Sequence, residues 1–453
     1  MPNPLLDDIY RILRKEYTYM ELIQLDNRFI AGFYHSIPII VKKAEDVFIW
    51  DINGKRYLDL TANYAACQIG YANSEMVEAL ANQLNFSFAC PWYMHELRIK
   101  LAEILTRITT GGPYKSWFGV SGSDAVEAAL KFAKYCKGRY KIISLWNGYH
   151  GATLGALSAH GLSNDRVYFE PLLPGFIHVP APYCYRCDFN LEYPKCGLTC
   201  LHFLEKTIER ESAKHVAGVI LEPILAGGGV IVPPIDYLKE LREICNKFDV
   251  LLILDEVVTG FGRTGKLFGY QHYGITPDIL ILGKGFTSGY VPGSAVLLRE
   301  EIIPHKDLEN KEVKLPRHTH THATNPLTCV AAIKNIEIIL KNNLPENALK
   351  VGEYLLRRLE EFVEKYEICG DARGKGLLLG LEIVSDKREK RPRHDIVDFI
   401  VRKCAEHGLL IEPSNGPENS TIVIHPPLIL TKEHVDNACI ILEDVIREAG
   451  KKA

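Results

Sequence analysis

The chain has 453 residues, more than one hydrophobic core normally supports, so two or more domains are expected. Hydrophobic residues make up 47% and charged residues 24% of the sequence, ordinary proportions for a soluble globular enzyme. A formal net charge of −3 and the lack of a long basic run argue against nucleic acid or an anionic membrane as partner. The start has no signal-peptide pattern and the apolar runs are too short to span a bilayer, so a cytoplasmic protein is predicted.

The first sixty residues change from a helical to a strand-like pattern. Residues 10–27 have a mixed helical pattern, whereas residues 37–60 contain short apolar runs. Between two of these runs, Asp51-Ile-Asn-Gly-Lys55 predicts a hairpin turn.

A helix start follows at Ser121-Gly-Ser123. Either serine can cap the helix, and the apolar residues between Ala125 and Phe132 recur on one face. A helix start with small residues and open amides is also an anion site. Taken alone, the segment is better described as an ordinary capped helix.

Several short apolar runs end abruptly in polar residues. Lys141–Trp146 leads to Tyr149, Val219–Leu221 to Glu222, Val250–Leu254 to Asp255, and Leu280–Leu282 to Lys284. Such runs suit parallel strands buried on both faces, and ligands of open parallel sheets bind outside the carboxyl ends of the strands. An acid and a lysine delivered in this way can meet over one small molecule. Taken singly, the acid could cap a helix and the lysine could be a surface charge.

Two clusters could suggest a metal site. Four of the twelve cysteines form the pairs Cys184-x-x-Cys187 and Cys196-x-x-x-Cys200, which can hold zinc, form disulfides, or simply fill space in a loop. The second cluster is His318-Thr-His-Thr-His322, whose histidines face one side of an extended segment, but no fourth ligand is evident. No metal is therefore predicted.

The last 120 or so residues mix helices and strands. Helical patterns cover residues 329–340 and 348–366, and they are followed by Gly374–Glu382, another helix, and the run Thr421–Pro427.

The segment Asp255-Glu-Val-Val-Thr-Gly-Phe-Gly-Arg-Thr-Gly265, together with Gly283-Lys-Gly285, resembles class III pyridoxal-phosphate (PLP) aminotransferases of fold type I. The resemblance covers nearly the whole chain. It implies an α/β fold: a large domain with a mainly parallel seven-stranded sheet between helices, plus an α+β small domain built from both termini. Residues 1–60 would join the small domain, residues 61–330 would form the large PLP-binding domain, and residues 331–453 would complete the small domain.

The resemblance also implies roles for individual residues. Lys284 would form the Schiff base with PLP and carry the substrate proton, while Asp255 would keep the pyridine nitrogen protonated. The other implied cofactor-binding residues are Ser121, Gly122 and Ser123 at the phosphate, Tyr149 and Val257 on the two ring faces, His150, Glu222, and Thr321, which would reach the phosphate of the other subunit. Tyr64 would line the substrate pocket, although a core tyrosine is an equally good description of it.

Three departures from the family pattern bear on the substrate. Val258 stands where many relatives have a glutamine. Ala152 and Val423 stand where relatives that grip an amino-acid carboxylate have arginines. These positions favour an ω-amino acid or a primary amine with an apolar body as donor, with pyruvate as acceptor. The partner of the acceptor's carboxylate is not identified.

The implied activity is ping-pong transamination through pyridoxamine phosphate in a homodimer with shared active sites. A PLP-dependent amino-acid racemase or epimerase is the alternative, but it needs a second base, and Ala226-Gly-Gly-Gly229 after Glu222-Pro223 offers no acid. The other alternative, a non-catalytic binding protein, has no reason to retain both Asp255 and Lys284.

Overall fold

The computed structural model describes residues 4–31, 37–86, 92–304, 315–316, 318–416 and 420–452. Its strands are β1 (Val41–Glu45), β2 (Phe48–Asp51), β3 (Arg56–Asp59), β4 (Tyr114–Gly119), β5 (Lys141–Leu145), β6 (Phe176–Val179), β7 (Val216–Leu221), β8 (Leu251–Asp255), β9 (Ile279–Leu282), β10 (Ser294–Arg299), β11 (Cys369–Lys375), β12 (Leu378–Ile383), β13 (Leu409–Leu410), β14 (Glu412–Pro413) and β15 (Thr421–Ile424). Its helices are α1 (Pro4–Arg14), α2 (Tyr19–Phe29), α3 (Ala62–Ala65), α4 (Ser74–Leu84), α5 (Glu96–Ile108), α6 (Gly122–Lys137), α7 (Leu154–Ala159), α8 (Ser163–Arg166), α9 (Thr199–Arg210), α10 (Tyr237–Phe248), α11 (Pro326–Lys341), α12 (Leu344–Lys365), α13 (His394–Glu406) and α14 (Lys432–Ala449). Short 3-10 turns occur at Cys184–Arg186, Ala213–His215, Gly269–His272, Lys284–Phe286 and Glu300–Ile302. None of the helices in these ranges has the length and apolar character needed to cross a membrane.

The described residues form a central seven-stranded sheet with the order β4-β10-β9-β8-β7-β5-β6. Strand β10 runs antiparallel to both of its neighbours, and the other adjacent pairs are parallel. Every residue of β7, β8 and β9 is buried, as their apolar runs predict. The predicted mainly parallel sheet is therefore confirmed.

Alternate residues of a strand point to opposite faces of the sheet, and helices pack on both of these faces. Ile253 of β8 packs in one cluster with the apolar face of α6, which includes the buried Phe132. Leu252 and Leu254 pack on the other face in a cluster that includes Leu241 of α10. The helical face predicted for residues 125–132 is thus part of the core.

Two four-stranded sheets complete the fold within the described ranges. One has the order β1-β2-β3-β13, and the parallel pairing of Leu58 with Leu409 joins the N-terminal strands to the C-terminal part of the chain. Its predicted hairpin turn is present, since Asp51 Oδ1 accepts backbone N–H groups of Asn53 and Lys55, each at 2.9 Å. The other sheet has the order β11-β12-β15-β14. The domain boundaries at residues 60 and 330 stay predictions.

A buried network around Glu382 of β12 ties this last sheet to loops of the central sheet. Glu382 Oε2 lies 2.7 Å from Arg373 Nη2, and Oε1 lies 2.8 Å from Arg186 Nη2 in the loop after β6. Arg373 also donates to the carbonyl of Gly229, at 2.6 Å, in the loop after β7. The network fixes the position of both loops against the β11-β12-β15-β14 sheet.

Candidate active site

Five segments deliver polar residues to one edge of the central sheet. Asp255 ends β8, Lys284 follows β9, Glu222 follows β7, Tyr149 lies beyond β5, and Ser121 precedes α6 after β4. These strands are oriented alike, so their carboxyl ends meet where ligands of open α/β sheets bind. A cavity of about 810 Å³ opens here, with Lys284, Tyr149, Glu222 and Tyr64 in its lining.

Lys284 is largely buried and has a left-handed backbone, with φ of 42°. This conformation is rare for a residue with a side chain, and such strain is typically held in place at functional sites. Burial lowers the pKa of the Lys284 ammonium, although the nearby carboxylates of Glu412, Glu222 and Asp255 act in the opposite direction. A larger share of neutral amine is therefore present near neutral pH than for an ordinary lysine.

Asp255 is held from two sides. Its Oδ2 lies 2.9 Å from Nδ1 of His150, and its Oδ1 accepts the backbone N–H of Val257 at 3.1 Å. Both Asp255 and His150 are buried, and His150 Nε2 has no hydrogen-bond partner in the described part of the chain. The carboxylate is therefore fixed in direction before any ligand binds.

Glu222 supports the wall that carries Tyr149. Its two carboxylate oxygens accept the backbone N–H groups of Tyr149, at 2.9 Å, and Ala226, at 3.0 Å. Burial, reinforced by the charge of Asp255, raises the pKa of Glu222 to about 7. The Tyr149 ring also meets His160 edge to face, with a centroid distance of 4.6 Å. Tyr149 is thus positioned through both its backbone and its ring.

The start of α6 has the features of an anion site. Ser121 Oγ accepts the N–H of Asp124 at 3.2 Å, and Ser123 Oγ accepts the N–H of Ala152 at 3.0 Å, so each hydroxyl can still donate its own proton. A Cβ at Gly122 would lie only 3.2 Å from Cγ1 of Val257, so a larger residue would crowd this contact. Hydroxyls and the amides of a helix N-terminus together suit a phosphate group.

Thr321 lies exposed in a turn beside the start of α6 and is not part of the cavity lining found among the described residues. His320 brings this segment close, because its Nε2 lies 2.7 Å from Asp124 Oδ2. His318 approaches the same carboxylate at 3.7 Å, whereas the turn directs His322 to the exposed surface. The three histidines therefore do not share one side, contrary to the extended segment assumed from the sequence.

Tyr64 lines the cavity from an unusual backbone segment. Residues 62–65 all have positive φ, between 43° and 59°, so this short turn is left-handed. Left-handed backbone costs about 1 kcal/mol or more per residue that has a side chain. The turn leaves Tyr64 63% exposed at the cavity, which excludes the description of it as a core tyrosine.

The cavity also contains a pair that the sequence analysis missed. Glu412 Oε1 lies 2.7 Å from Nε2 of His425, and both residues are in the lining. Glu412 pairs across β14–β15 with Val423, which itself lines the cavity. No sequence motif marks Glu412, because its place depends on the register of a two-residue strand.

The four clustered cysteines, Cys184, Cys187, Cys196 and Cys200, are free thiols that line one small cavity of about 20 Å³. Within the ranges given above, no group of three or more histidine, cysteine, aspartate or glutamate residues could hold a metal ion. The loop instead contributes Arg186 to the network around Glu382.

The arrangement fits PLP. The cavity is in the size range of small-molecule sites and combines a largely buried lysine with a buried carboxylate. A phosphorylated pyridine ring also needs an aromatic surface to pack against and hydrogen-bond donors for its phosphate. The cavity has an aromatic wall, and the start of α6 has open donors.

Comparison with known proteins gives the same result. The family model for class III aminotransferases matches residues 29–446. An uncharacterised aminotransferase of Bacillus subtilis (strain 168) is 38% identical over 431 residues, covering 91% of this chain and 93% of the relative. An alanine/serine racemase of Pyrococcus horikoshii is 37% identical over 421 residues, covering 91% and 86%. The PLP-bound crystal structure of an amine transaminase from an uncultivated Pseudomonas species superposes with a TM-score of 0.86 at 33% identity, covering 93% and 98%. This chain belongs to the class III aminotransferase family, whose members are PLP-dependent enzymes of fold type I.

Proposed function

We propose that the enzyme transfers an amino group from an ω-amino acid or a primary amine to a keto acid, with pyruvate as the acceptor. The primary amine becomes an aldehyde or ketone, and the keto acid becomes an amino acid. The observation that carries this proposal is the composition of the cavity. Ala152, Val423 and Lys284 line it, and its described lining contains no arginine. A donor whose α-carboxylate must be bound by arginines at these two positions is disfavoured.

Bound PLP supplies an electron sink for the carbon that loses its proton. Lys284 Nζ would take that proton from the donor carbon, a task suited to an amine whose pKa is lowered by burial. Asp255 would hold the proton on the pyridine nitrogen, and His150 would hold Asp255 in place through the contact at 2.9 Å.

The remaining contacts would position the ring. Ser121, Gly122 and Ser123 would bind the phosphate at the start of α6, where both hydroxyls have a proton to donate. Tyr149 and Val257 would contact opposite faces of the ring. Stacking on an aromatic ring contributes about 1 kcal/mol beyond area burial.

The active assembly is proposed to be a homodimer, in which Thr321 of each subunit completes the phosphate site of the other. Two observations support this assembly. Thr321 is exposed beside α6 instead of lying in the cavity, and large apolar side chains such as Phe29 and Met94 are 67% and 77% exposed. A subunit interface would cover such side chains, and a two-fold dimer is the commonest closed arrangement.

A racemase is a second candidate, because a relative named alanine/serine racemase is 37% identical. A racemase needs a second base on the ring face opposite Lys284. Ala226, in the loop after Glu222-Pro223, lines the cavity without providing one. The aminotransferase is therefore the favoured proposal.

The decisive experiment mixes the PLP-loaded enzyme with a panel of amines and amino acids and no acceptor. Transamination would leave one equivalent of pyridoxamine phosphate per site, which chromatography measures, and pyruvate would then be converted to alanine. Exchange of the substrate's Cα proton with solvent deuterium without pyridoxamine phosphate would identify a racemase instead. A binding protein would show neither result.

A further inference from the structure

Carboxylates dominate the charged lining of the active-site cavity. Asp165, Glu222 and Glu412 are all present, whereas the described lining contains no arginine and Lys284 is its only lysine. Glu222 accepts two backbone N–H groups, and Asp165, which lies 3.1 Å from His160, has a side chain that is 41% exposed. Glu412 is the carboxylate of this lining that is both better shielded from water than Asp165 and bonded through only one of its oxygens in the described structure.

Glu412 makes one hydrogen bond within the described structure, through Oε1 to Nε2 of His425. Its side chain is 19% exposed, so it is partly shielded from bulk water while it faces the cavity. A second carboxylate oxygen in such a place can accept a hydrogen bond from a bound cation. His425 acts as a positioning residue, since its hydrogen bond fixes the Glu412 carboxylate beside the β14–β15 pair.

Glu412 shares the cavity with Lys284 and Tyr64. It lies opposite Val423 in the strand pair, and its negative charge acts both on the Lys284 ammonium and on the hydroxyl of Tyr64. The wall around it is largely apolar, with Val258, Leu157 and the Tyr64 ring available to contact a hydrocarbon chain. A donor that reaches from Lys284 along this wall would place its far end near Glu412.

We propose that Glu412 binds the distal ammonium group of a diamine, so that the preferred donor is a primary amine with a second cationic end. The inference rests on the transaminase function proposed above and selects among its donors. An ammonium and a carboxylate that meet in a partly dehydrated cavity form a charge-assisted hydrogen bond. A terminal carboxylate at the same place would face a like charge, which is unfavourable. Glu412 therefore selects against ω-amino acids.

The test uses three donors with the same number of carbon atoms and different far ends: cadaverine with an ammonium, pentylamine with a methyl group, and δ-aminovalerate with a carboxylate. Steady-state kinetics of the PLP-loaded enzyme with pyruvate gives kcat and KM for each donor. The wild type should use cadaverine with a kcat/KM about tenfold or more above that of pentylamine, and δ-aminovalerate should be the poorest donor.

Glu412→Gln keeps the shape of the side chain and removes its charge. It should raise KM for cadaverine by about tenfold to a hundredfold and reduce the preference for cadaverine over pentylamine by the same factor. Any change in kcat should be common to both donors, because the charge of Glu412 also acts on Lys284. Glu412→Arg should reverse the order and favour δ-aminovalerate. Glu360→Gln, on the exposed face of α12, is the matched control and should change no parameter.

Equal use of cadaverine and pentylamine by the wild type would overturn the inference and leave the transaminase proposal intact. An equal loss for all three donors in Glu412→Gln would also overturn it, because Glu412 would then support the site only through His425. If the wild type produced pyridoxamine phosphate from no amine at all, the transaminase proposal would fail first and the inference with it.

Discussion

His150 Nδ1 lies 2.9 Å from Asp255 Oδ2, and both side chains are buried at the carboxyl edge of the central sheet. His150 follows β5 and Asp255 is the last residue of β8, and these two strands are separated in the sheet by β7. Because Asp255 Oδ1 also accepts the N–H of Val257, the carboxylate has one orientation available. A carboxylate fixed in one orientation can bind a single ligand atom, which we propose to be the pyridine nitrogen of PLP. The first two predictions follow from this proposal.

Asp255→Asn should retain bound PLP and lose turnover by several orders of magnitude. The amide is neutral and cannot stabilise a protonated pyridine nitrogen, so the ring becomes a poor electron sink. The rate of donor Cα proton exchange, followed by mass spectrometry in deuterated water, isolates this step. Wild-type exchange rates in the variant would refute the role assigned to Asp255.

His150→Phe should reduce kcat less severely, by about tenfold to a hundredfold, because the carboxylate remains but loses a buried partner. KM for the amine should stay close to the wild-type value, since His150 does not line the cavity among the described residues. An increase in KM without a change in kcat would contradict this positioning role.

Lys284→Ala should abolish transamination, because no other lysine lines the cavity within the described residues. PLP should still bind weakly through the start of α6 and the wall formed by Tyr149. Equilibrium dialysis measures that binding, and a coupled assay measures alanine formed from pyruvate. The matched control is Lys239→Ala, at an exposed position of α10, which should behave as wild type. Turnover by the Lys284 variant at near wild-type rate would disprove the assignment.

Thr321→Ala should weaken PLP binding and make the affinity depend more strongly on protein concentration. A phosphate dianion at one helix start leaves oxygens that a donor from a second subunit can pair. A ligand that binds only the dimer must also favour dimerisation. PLP titrations over a range of protein concentrations, with sedimentation in parallel, test both effects. A fully active monomer at assay concentrations would eliminate the shared-site proposal.

Glu382→Gln should destabilise the fold most at neutral pH. Burial alone would raise the pKa of Glu382, but Arg373 and Arg186 outweigh it and lower this pKa to about 2 from the usual value of 4.5. A lowered carboxyl pKa stabilises the folded state above pH 4.5, and that contribution disappears as the pH falls towards 2. The shift corresponds to about 3 kcal/mol in the free energy of unfolding.

Guanidinium denaturation gives the free energy of unfolding of the wild type and of Glu382→Gln. The gap between these two values should narrow as the pH falls from about 7 to about 3. Glu364→Gln, an exposed position on α12, should show no such gap. A gap that stays constant with pH would mean that Glu382 contributes through packing instead of charge.

Much of the central sheet was predictable from local patterns. The apolar runs before Glu222, Asp255 and Lys284 are buried along their whole lengths, and the Asp51–Lys55 turn is a hairpin. These features depend on residues close together in the chain, because strand burial and turn geometry are expressed within a few positions.

The sequence by itself determined the family and the cofactor, and it led to Lys284 and Asp255 as the proposed catalytic residues, because each of these is carried by a contiguous motif. Only the tertiary structure decided what surrounds them. The contact of His150 with Asp255 depends on the order of strands in the sheet, and the left-handed turn that presents Tyr64 contradicts its local preferences. Glu412 reaches the cavity because β14 pairs with β15 in one register. Strand register is normally specified by the alternation of apolar residues and by turn geometry, but β14 has only two residues, too few to show such an alternation.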